Sequence, residues 1–201
     1  MEIKAALQHL VDGESLSRDA MRDVMTAVMS GEATPAQLGA LLVALRMKGE
    51  TIDEIAGAAE VMRNLATRVR VDQEHLIDLV GTGGDGANLF NVSTASTFVV
   101  AAAGGRVAKH GNRSVSSLCG SADVLEALGV AVDLGPEGVA ECVKQTGMGF
   151  MFAPRYHPSM KAVAPVRKKL KVRTAFNLLG PMLNPASSKY ALVGVYTPEL
   201  M

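Results

Sequence analysis

The apolar pattern of this 201-residue chain changes period near residue 70, and the change separates two kinds of fold. Up to about residue 68 apolar side chains recur three and four apart. Ser17 precedes Met21, Val24, Met25 and Val28, a helix that stops at Gly31. Thr34-Pro35-Ala36-Gln37 sets a capping hydroxyl, a proline at the first helical position and a glutamine at the third, ahead of Leu38, Leu41, Leu42 and Leu45. That helix ends near Gly49. Thr51-Ile52-Asp53-Glu54 repeats the capping box before Ile55, Ala58, Ala59 and Met62. Residues 1–68 therefore read as an all-helical domain. Its broad faces of Ala, Leu and Met exceed what three short helices cover, which predicts docking on a partner subunit.

Beyond Arg68-Val69-Arg70-Val71 short apolar runs alternate with helical patterns. Strands are expected at Leu76–Val80, Val107–Lys109, Val130–Val132, Gly149–Phe152 and Tyr190–Tyr196. Helices are expected at Thr94–Ala103, with Ser93 or Thr94 as its cap, at Ser121–Leu128, stopped by Gly129, and at Pro136–Thr146. This alternation makes the fold class α/β: a small helical domain followed by a mainly parallel-sheet domain over 69–201, its sheet covered on both faces. Thr197-Pro198-Glu199-Leu200 is a helix start one residue from the end, so the α/β domain is expected to be incomplete at its C-terminus.

Composition excludes several classes of function. Twenty basic residues balance twenty acidic ones, aromatics are 4 % and Trp is absent, which argues against a nucleic-acid partner. No run of about 18 apolar residues predicts a membrane span, and Met1-Glu2-Ile3-Lys4 does not open a secretory signal. Cys119 and Cys142 stand in no metal-ligand spacing and read as reduced, buried thiols of a cytoplasmic protein.

Two polar segments carry the chemistry. Gly81-Thr82-Gly83-Gly84-Asp85-Gly86 follows the first strand and leads to Asn91-Val92-Ser93-Thr94; four glycines in six residues exceed what a turn needs and bring backbone N–H groups close to a ligand. The run lacks the lysine of a Walker loop. Asp85 would repel phosphate and suits a ribose hydroxyl or a metal-bound water. Lys109-His110-Gly111-Asn112-Arg113-Ser114-Val115-Ser116-Ser117 adds two cations and three hydroxyls at a second strand end. Arg113 is also placed to pair with Asp123 or Glu126. Ligands of parallel sheets sit outside the carboxyl ends of the strands, where both segments fall. The expected ligand carries several phosphate oxygens.

These segments, with Gly120-Ser121-Ala122-Asp123, Phe152-Ala153-Pro154-Arg155-Tyr156-His157-Pro158, Pro165-Val166-Arg167, Arg173-Thr174-Ala175-Phe176-Asn177-Leu178-Leu179-Gly180-Pro181 and Asn184-Pro185, resemble the anthranilate phosphoribosyltransferase family in order and spacing along the whole chain. The resemblance implies transfer of phosphoribose from phosphoribosyl pyrophosphate (PRPP) to the amine of anthranilate, on the way to tryptophan. It implies a fold like that of pyrimidine nucleoside phosphorylases, Mg²⁺ as cofactor, and a homodimer formed through the N-terminal helices. By the same resemblance Gly81, Gly84, Asp85, Asn91, Ser93 and Thr94, then Lys109, His110, Gly111, Asn112, Arg113, Ser114, Val115, Ser116, Ser117 and Ser121, bind PRPP. Ser93 is a Mg²⁺ ligand, and Gly81, Asn112 and Arg167 hold anthranilate. Leu89 stands where many relatives carry Ser or Thr. Family members continue past residue 201 to an Asp-Glu pair for a second Mg²⁺, so the chain alone is expected to be weakly active or inactive.

Displacement of pyrophosphate from ribose C1 needs no covalent nucleophile, because the ring oxygen shares the developing positive charge. It needs charge on the leaving group, alignment of the amine and exclusion of water. His110 and His157 are expected to position or pack rather than act as bases. Two other readings predict different behaviour: a pyrimidine nucleoside phosphorylase-like enzyme, and a non-catalytic PRPP-binding fragment.

Overall fold

A computed structural model describes residues 1–82, 90–113, 119–195 and 197–198. In chain order its helices are α1 (Ile3–Val11), α2 (Arg18–Ser30), α3 (Pro35–Lys48), α4 (Ile52–Leu65), α5 (Val92–Ala102), α6 (Ser121–Ala127), α7 (Pro136–Thr146), α8 (Ala153–Tyr156), α9 (Ala164–Leu170) and α10 (Phe176–Leu179). Strands β1 (Leu76–Gly81), β2 (Arg106–Gly111), β3 (Met148–Phe152) and β4 (Tyr190–Gly194) are interleaved with them, and 3-10 turns cover Pro158–Ala162 and Gly180–Met182. The described chain groups into two compact units, Met1–Ala66 with His157–Met182, and Thr67–Tyr156 with Leu183–Met201. No described helix is long and apolar enough to cross a membrane.

Local chemistry sets the helical unit. Ser17 accepts the Ala20 N–H at the start of α2, and Gly31 ends it with φ +83°, a conformation glycine takes without strain. Thr34 with Gln37 and Thr51 with Glu54 form complete capping boxes. Glu54 does more than cap: fully buried, it accepts from Leu16 N–H at 2.9 Å, Thr51 N–H at 2.8 Å and Lys48 Nζ at 3.0 Å. One carboxylate thereby ties the α1–α2 connection to the turn before α4.

The pattern in sequence keeps everything after residue 68 together, whereas His157–Met182 packs with the N-terminal helices. Val163 is buried there, as are Phe176 and Leu179, and Arg63 Nε donates to Met182 O at 2.6 Å. Gly39 on α3 leaves room for Val166 of α9, whose Cγ1 would stand 3.9 Å from an added Cβ. Apolar partners distant in sequence decide this membership, and no local period reports it.

The second unit is built on a four-stranded, wholly parallel sheet in the order β3-β2-β1-β4. One core cluster gathers Val69, Leu76, Ala108, Val139, Val143, Met151, Tyr156 and Ala186; another gathers Ala122, Leu125, Val132 and Phe150. Tyr156 donates its hydroxyl to Leu134 O at 2.8 Å, and burial pushes that hydroxyl up to about 12.

Three expectations need correction. Val130–Val132 is not a strand: Val130 N–H turns back to Leu125 O, and Val132 is buried in the α6 cluster without joining the sheet. Neither Ser93 nor Thr94 caps α5, because Asn91 holds the cap position and its side chain donates to Gly120 O at 3.4 Å instead. The cysteines are not buried; Cys119 is exposed and Cys142 half-buried. The helix start at Thr197–Leu200 falls partly outside the described residues.

Candidate functional site

All four strands run the same way, so Gly81, Gly111, Phe152 and Gly194 share one edge of the sheet. The outer ladders continue to that edge, pairing Gly81 with Gly194 and Gly111 with Phe152. The central ladder does not. β1 and β2 pair only through Leu76–Arg106 and Ile77–Val107.

Past that point the backbone groups that would form the next rung turn to side chains. Leu79 O accepts from Lys109 Nζ. The His110 N–H donates to Asp78 Oδ1 at 3.3 Å, and Ala108 O accepts from Asn184 Nδ2 at 2.8 Å. The interrupted rung lies just before Gly81 at the end of β1 and Gly111 at the end of β2.

Lys109 is 3 % exposed. Its ammonium reaches Ser93 Oγ, in the first turn of α5, at 3.2 Å. Burial lowers Lys109 to about 8 against the opposing charge of Asp78. Asp78 is 1 % exposed; burial raises it, while the Asn184 amide, the Lys109 charge and the N–H groups of His110 and Leu79 pull it back. Thr94 is buried beside Ser93, and its Oγ1 has no hydrogen-bond partner among the described residues.

At the end of β2, Gly111 is required by packing. An added Cβ would fall inside contact with Ser121 Oγ and 2.7 Å from Phe150 Cε2. Ser121 Oγ donates to Asn112 O at 3.1 Å, Ala122 N–H to the same carbonyl at 3.2 Å, and Asn112 Oδ1 accepts the Arg113 N–H at 2.7 Å. Arg113 pairs with Glu126 through both terminal nitrogens, one at 2.6 Å, touches Asp123 at 3.3 Å, and lies 5.5 Å from the Phe152 ring centre. The pairing read from sequence is present. His110 is buried.

The structure thus brings Gly81, Asn91, Ser93, Thr94, Lys109, His110, Gly111, Asn112, Arg113 and Ser121 into one unit. Gly84, Asp85, Leu89, Ser114, Val115, Ser116 and Ser117 lie outside the described residues. Arg167 and His157 belong to the helical unit. His157 is buried there, and the Arg167 guanidinium lies 5.2 Å from the Phe176 ring centre. Burial lowers Arg167, and among the described residues it pairs with no carboxylate. No group of three or more His, Cys, Asp or Glu could hold a metal among the described residues. Sequence reasoning passes over Asp78 and gives Asn184 no role; the available signal is a carboxylate inside the apolar run Leu76-Ile77-Asp78-Leu79-Val80.

Two family models match the chain, a glycosyl transferase family α/β domain over residues 73–201 and a glycosyl transferase family helical bundle domain over residues 4–66. The chain is similar to the anthranilate phosphoribosyltransferase of Teredinibacter turnerae, 62 % identical over 200 residues, covering 100 % of this chain and 59 % of that protein. It is similar to the crystal structure of anthranilate phosphoribosyltransferase from Thermus thermophilus, with TM-score 0.90 and 50 % identity over 96 % of this chain and 59 % of that one. It also resembles the Saccharomyces cerevisiae anthranilate phosphoribosyltransferase solved in complex with PRPP and Mg, with TM-score 0.90 and 28 % identity over 98 % of this chain and 59 % of that one. The chain spans 59 % of the length of each of these relatives.

Proposed function

Because the chain belongs to the glycosyl transferase family with paired helical-bundle and α/β domains, we propose that the protein transfers the phosphoribosyl group of PRPP to the amine of anthranilate. The products are N-(5-phosphoribosyl)anthranilate and pyrophosphate. The observation that carries this reading is the approach of Lys109 Nζ to Ser93 Oγ, which sets a cation and a hydroxyl together at the carboxyl edge of the sheet. Likeness to enzymes of this name along the full chain supports it.

The leaving pyrophosphate gains charge as the ribose C1–O bond breaks. Lys109 neutralises part of that charge, and the dipole of α5, whose first turn carries Ser93, favours negative charge in the same place. A half-exposed ammonium would be screened by water; at 3 % exposure Lys109 acts with little screening. The clamp of Glu126 and Asp123 on Arg113, with the bond from Ser121 to Asn112, fixes Asn112 and Arg113 just past β2. In the helical unit Arg167 is the partner for the anthranilate carboxylate, since it carries charge that no described acid neutralises. The amine of anthranilate attacks without a dedicated base, and His110 and His157 serve packing and positioning.

Ser93 Oγ is a hard oxygen donor that fits a Mg²⁺ held chiefly by phosphate oxygens and water. Bound there, Mg²⁺ supplies charge neutralisation at the pyrophosphate. A homodimer through the helical unit accords with large apolar side chains left on its surface, among them Val11 at 73 %, Met47 at 83 % and Ile52 at 88 % exposure. The reaction joins soluble metabolites and belongs to the cytoplasm.

Incubating the full-length protein with PRPP, anthranilate and Mg²⁺ tests the reading, with formation of the phosphoribosyl product and equimolar pyrophosphate as the expected result. Phosphate-dependent cleavage of a pyrimidine nucleoside without use of anthranilate would overturn it, as would calorimetric PRPP binding with no turnover.

A further inference from the structure

A carboxylate in the middle of a buried strand is costly unless it holds something. Asp78 sits at the rung where the β1–β2 ladder stops, and its Oδ1 takes the His110 N–H that an unbroken ladder would give to Leu79 O. Leu79 O is free to accept from Lys109 Nζ for that reason. On the same rung Ala108 O is taken by Asn184 Nδ2, and Asn184 Oδ1 is fixed by the Ala186 N–H at 2.8 Å. Two side chains outside the glycine-rich segments thus occupy the positions that backbone would otherwise fill.

We propose that Asp78 and Asn184 are positioning residues for PRPP: they keep β1 and β2 from pairing beyond Ile77 and Val107 and so hold Lys109 against Leu79 O and Ser93 Oγ. Without them His110 N–H and Leu79 O can bond directly, the rung closes, and the lysine loses the carbonyl that anchors its ammonium. The inference rests on the reading of this edge as the PRPP site. Neither side chain touches the reacting atoms; both act through Lys109.

The test compares the wild-type protein with Asp78→Ala, Asn184→Ala, the double variant and Asp78→Asn, measuring KM for each substrate and kcat, with calorimetry of PRPP and Mg²⁺ alongside. The expected result is a PRPP KM raised about tenfold in each Ala variant, with the anthranilate KM within about twofold of wild type. The double variant is expected to lose no more than the worse single one, because both substitutions release the same rung. Asp78→Asn keeps one acceptor for the His110 N–H and is expected to fall between wild type and Asp78→Ala. Equal rises in both KM values, or additive losses in the double variant, overturn the proposal by marking separate structural roles. Where an Ala variant fails to fold, Asp78→Asn decides, and a wild-type PRPP KM in that variant overturns it. A wild-type protein that binds no PRPP overturns the site reading and the inference together, whereas wild-type binding beside unaffected variants overturns the inference alone.

Discussion

The Lys109 ammonium donates to the Ser93 hydroxyl across 3.2 Å, joining β2 to the first turn of α5. Burial brings that ammonium to about 8 from its ordinary 10.5. Between those values the unfolded chain holds a proton that the folded one has released, so stability rises with pH across that window. Denaturation midpoints from about pH 7 to 11 are expected to show this rise in wild type relative to Lys109→Met, which lacks the group. The same substitution is expected to raise the PRPP KM at least about tenfold, the loss of a charged hydrogen bond of about 1.5–3 kcal/mol.

Gly111→Ala forces a methyl group against Ser121 Oγ and the edge of the Phe150 ring. Phe150 is buried in the α6 cluster and has little room to yield. The expected cost is about 1–3 kcal/mol in urea denaturation, with PRPP binding weakened because the segment after β2 must shift.

Glu54→Ala separates stability from activity. It leaves Lys48 buried without its acid and the Leu16 and Thr51 N–H groups without acceptors. The expected loss is about 3–5 kcal/mol in chemical denaturation, with both KM values unchanged in the folded fraction. Burial raises Glu54, but those N–H groups and Lys48 together hold it below its ordinary 4.5. Its contribution is therefore complete above 4.5 and is lost as pH falls through the lower folded value, a loss that the Ala variant should not show.

Arg167→Ala is expected to raise the anthranilate KM far more than the PRPP KM, because a guanidinium with no described acidic partner is removed. Steady-state kinetics with each substrate varied in turn measures the split. Equal losses would count against its assignment to the carboxylate.

Features set within four residues are legible in the sequence. The caps at Ser17, Thr34 and Thr51 are local hydrogen bonds, and each stands where its spacing places it. β1, β3 and β4 are readable as apolar runs, although β4 is exposed along its length where a buried strand is expected, and the Arg113 pairing is readable as charges one helix turn apart on α6. Val130–Val132 misleads because a single buried residue, Val132, stands in an otherwise exposed apolar connection that reads like a short strand. The cap of α5 misleads because Asn91 is held by Gly120, a partner at the start of the next helix. The interrupted rung is invisible for the same reason: Asp78, Lys109 and Asn184 meet only after the sheet has formed.

The helical unit's two stretches have a consequence for synthesis. A ribosome delivers α1 to α4 first, yet Val163, Phe176 and Leu179, which complete their packing, emerge only after β1, β2 and β3. About 90 residues separate the two stretches, which at about 5–20 residues per second is a wait of roughly 5–20 s. During that interval the leucine- and methionine-rich faces of the first four helices stand partly uncovered, so chaperone occupancy on the nascent chain should fall only once Met182 has left the exit tunnel.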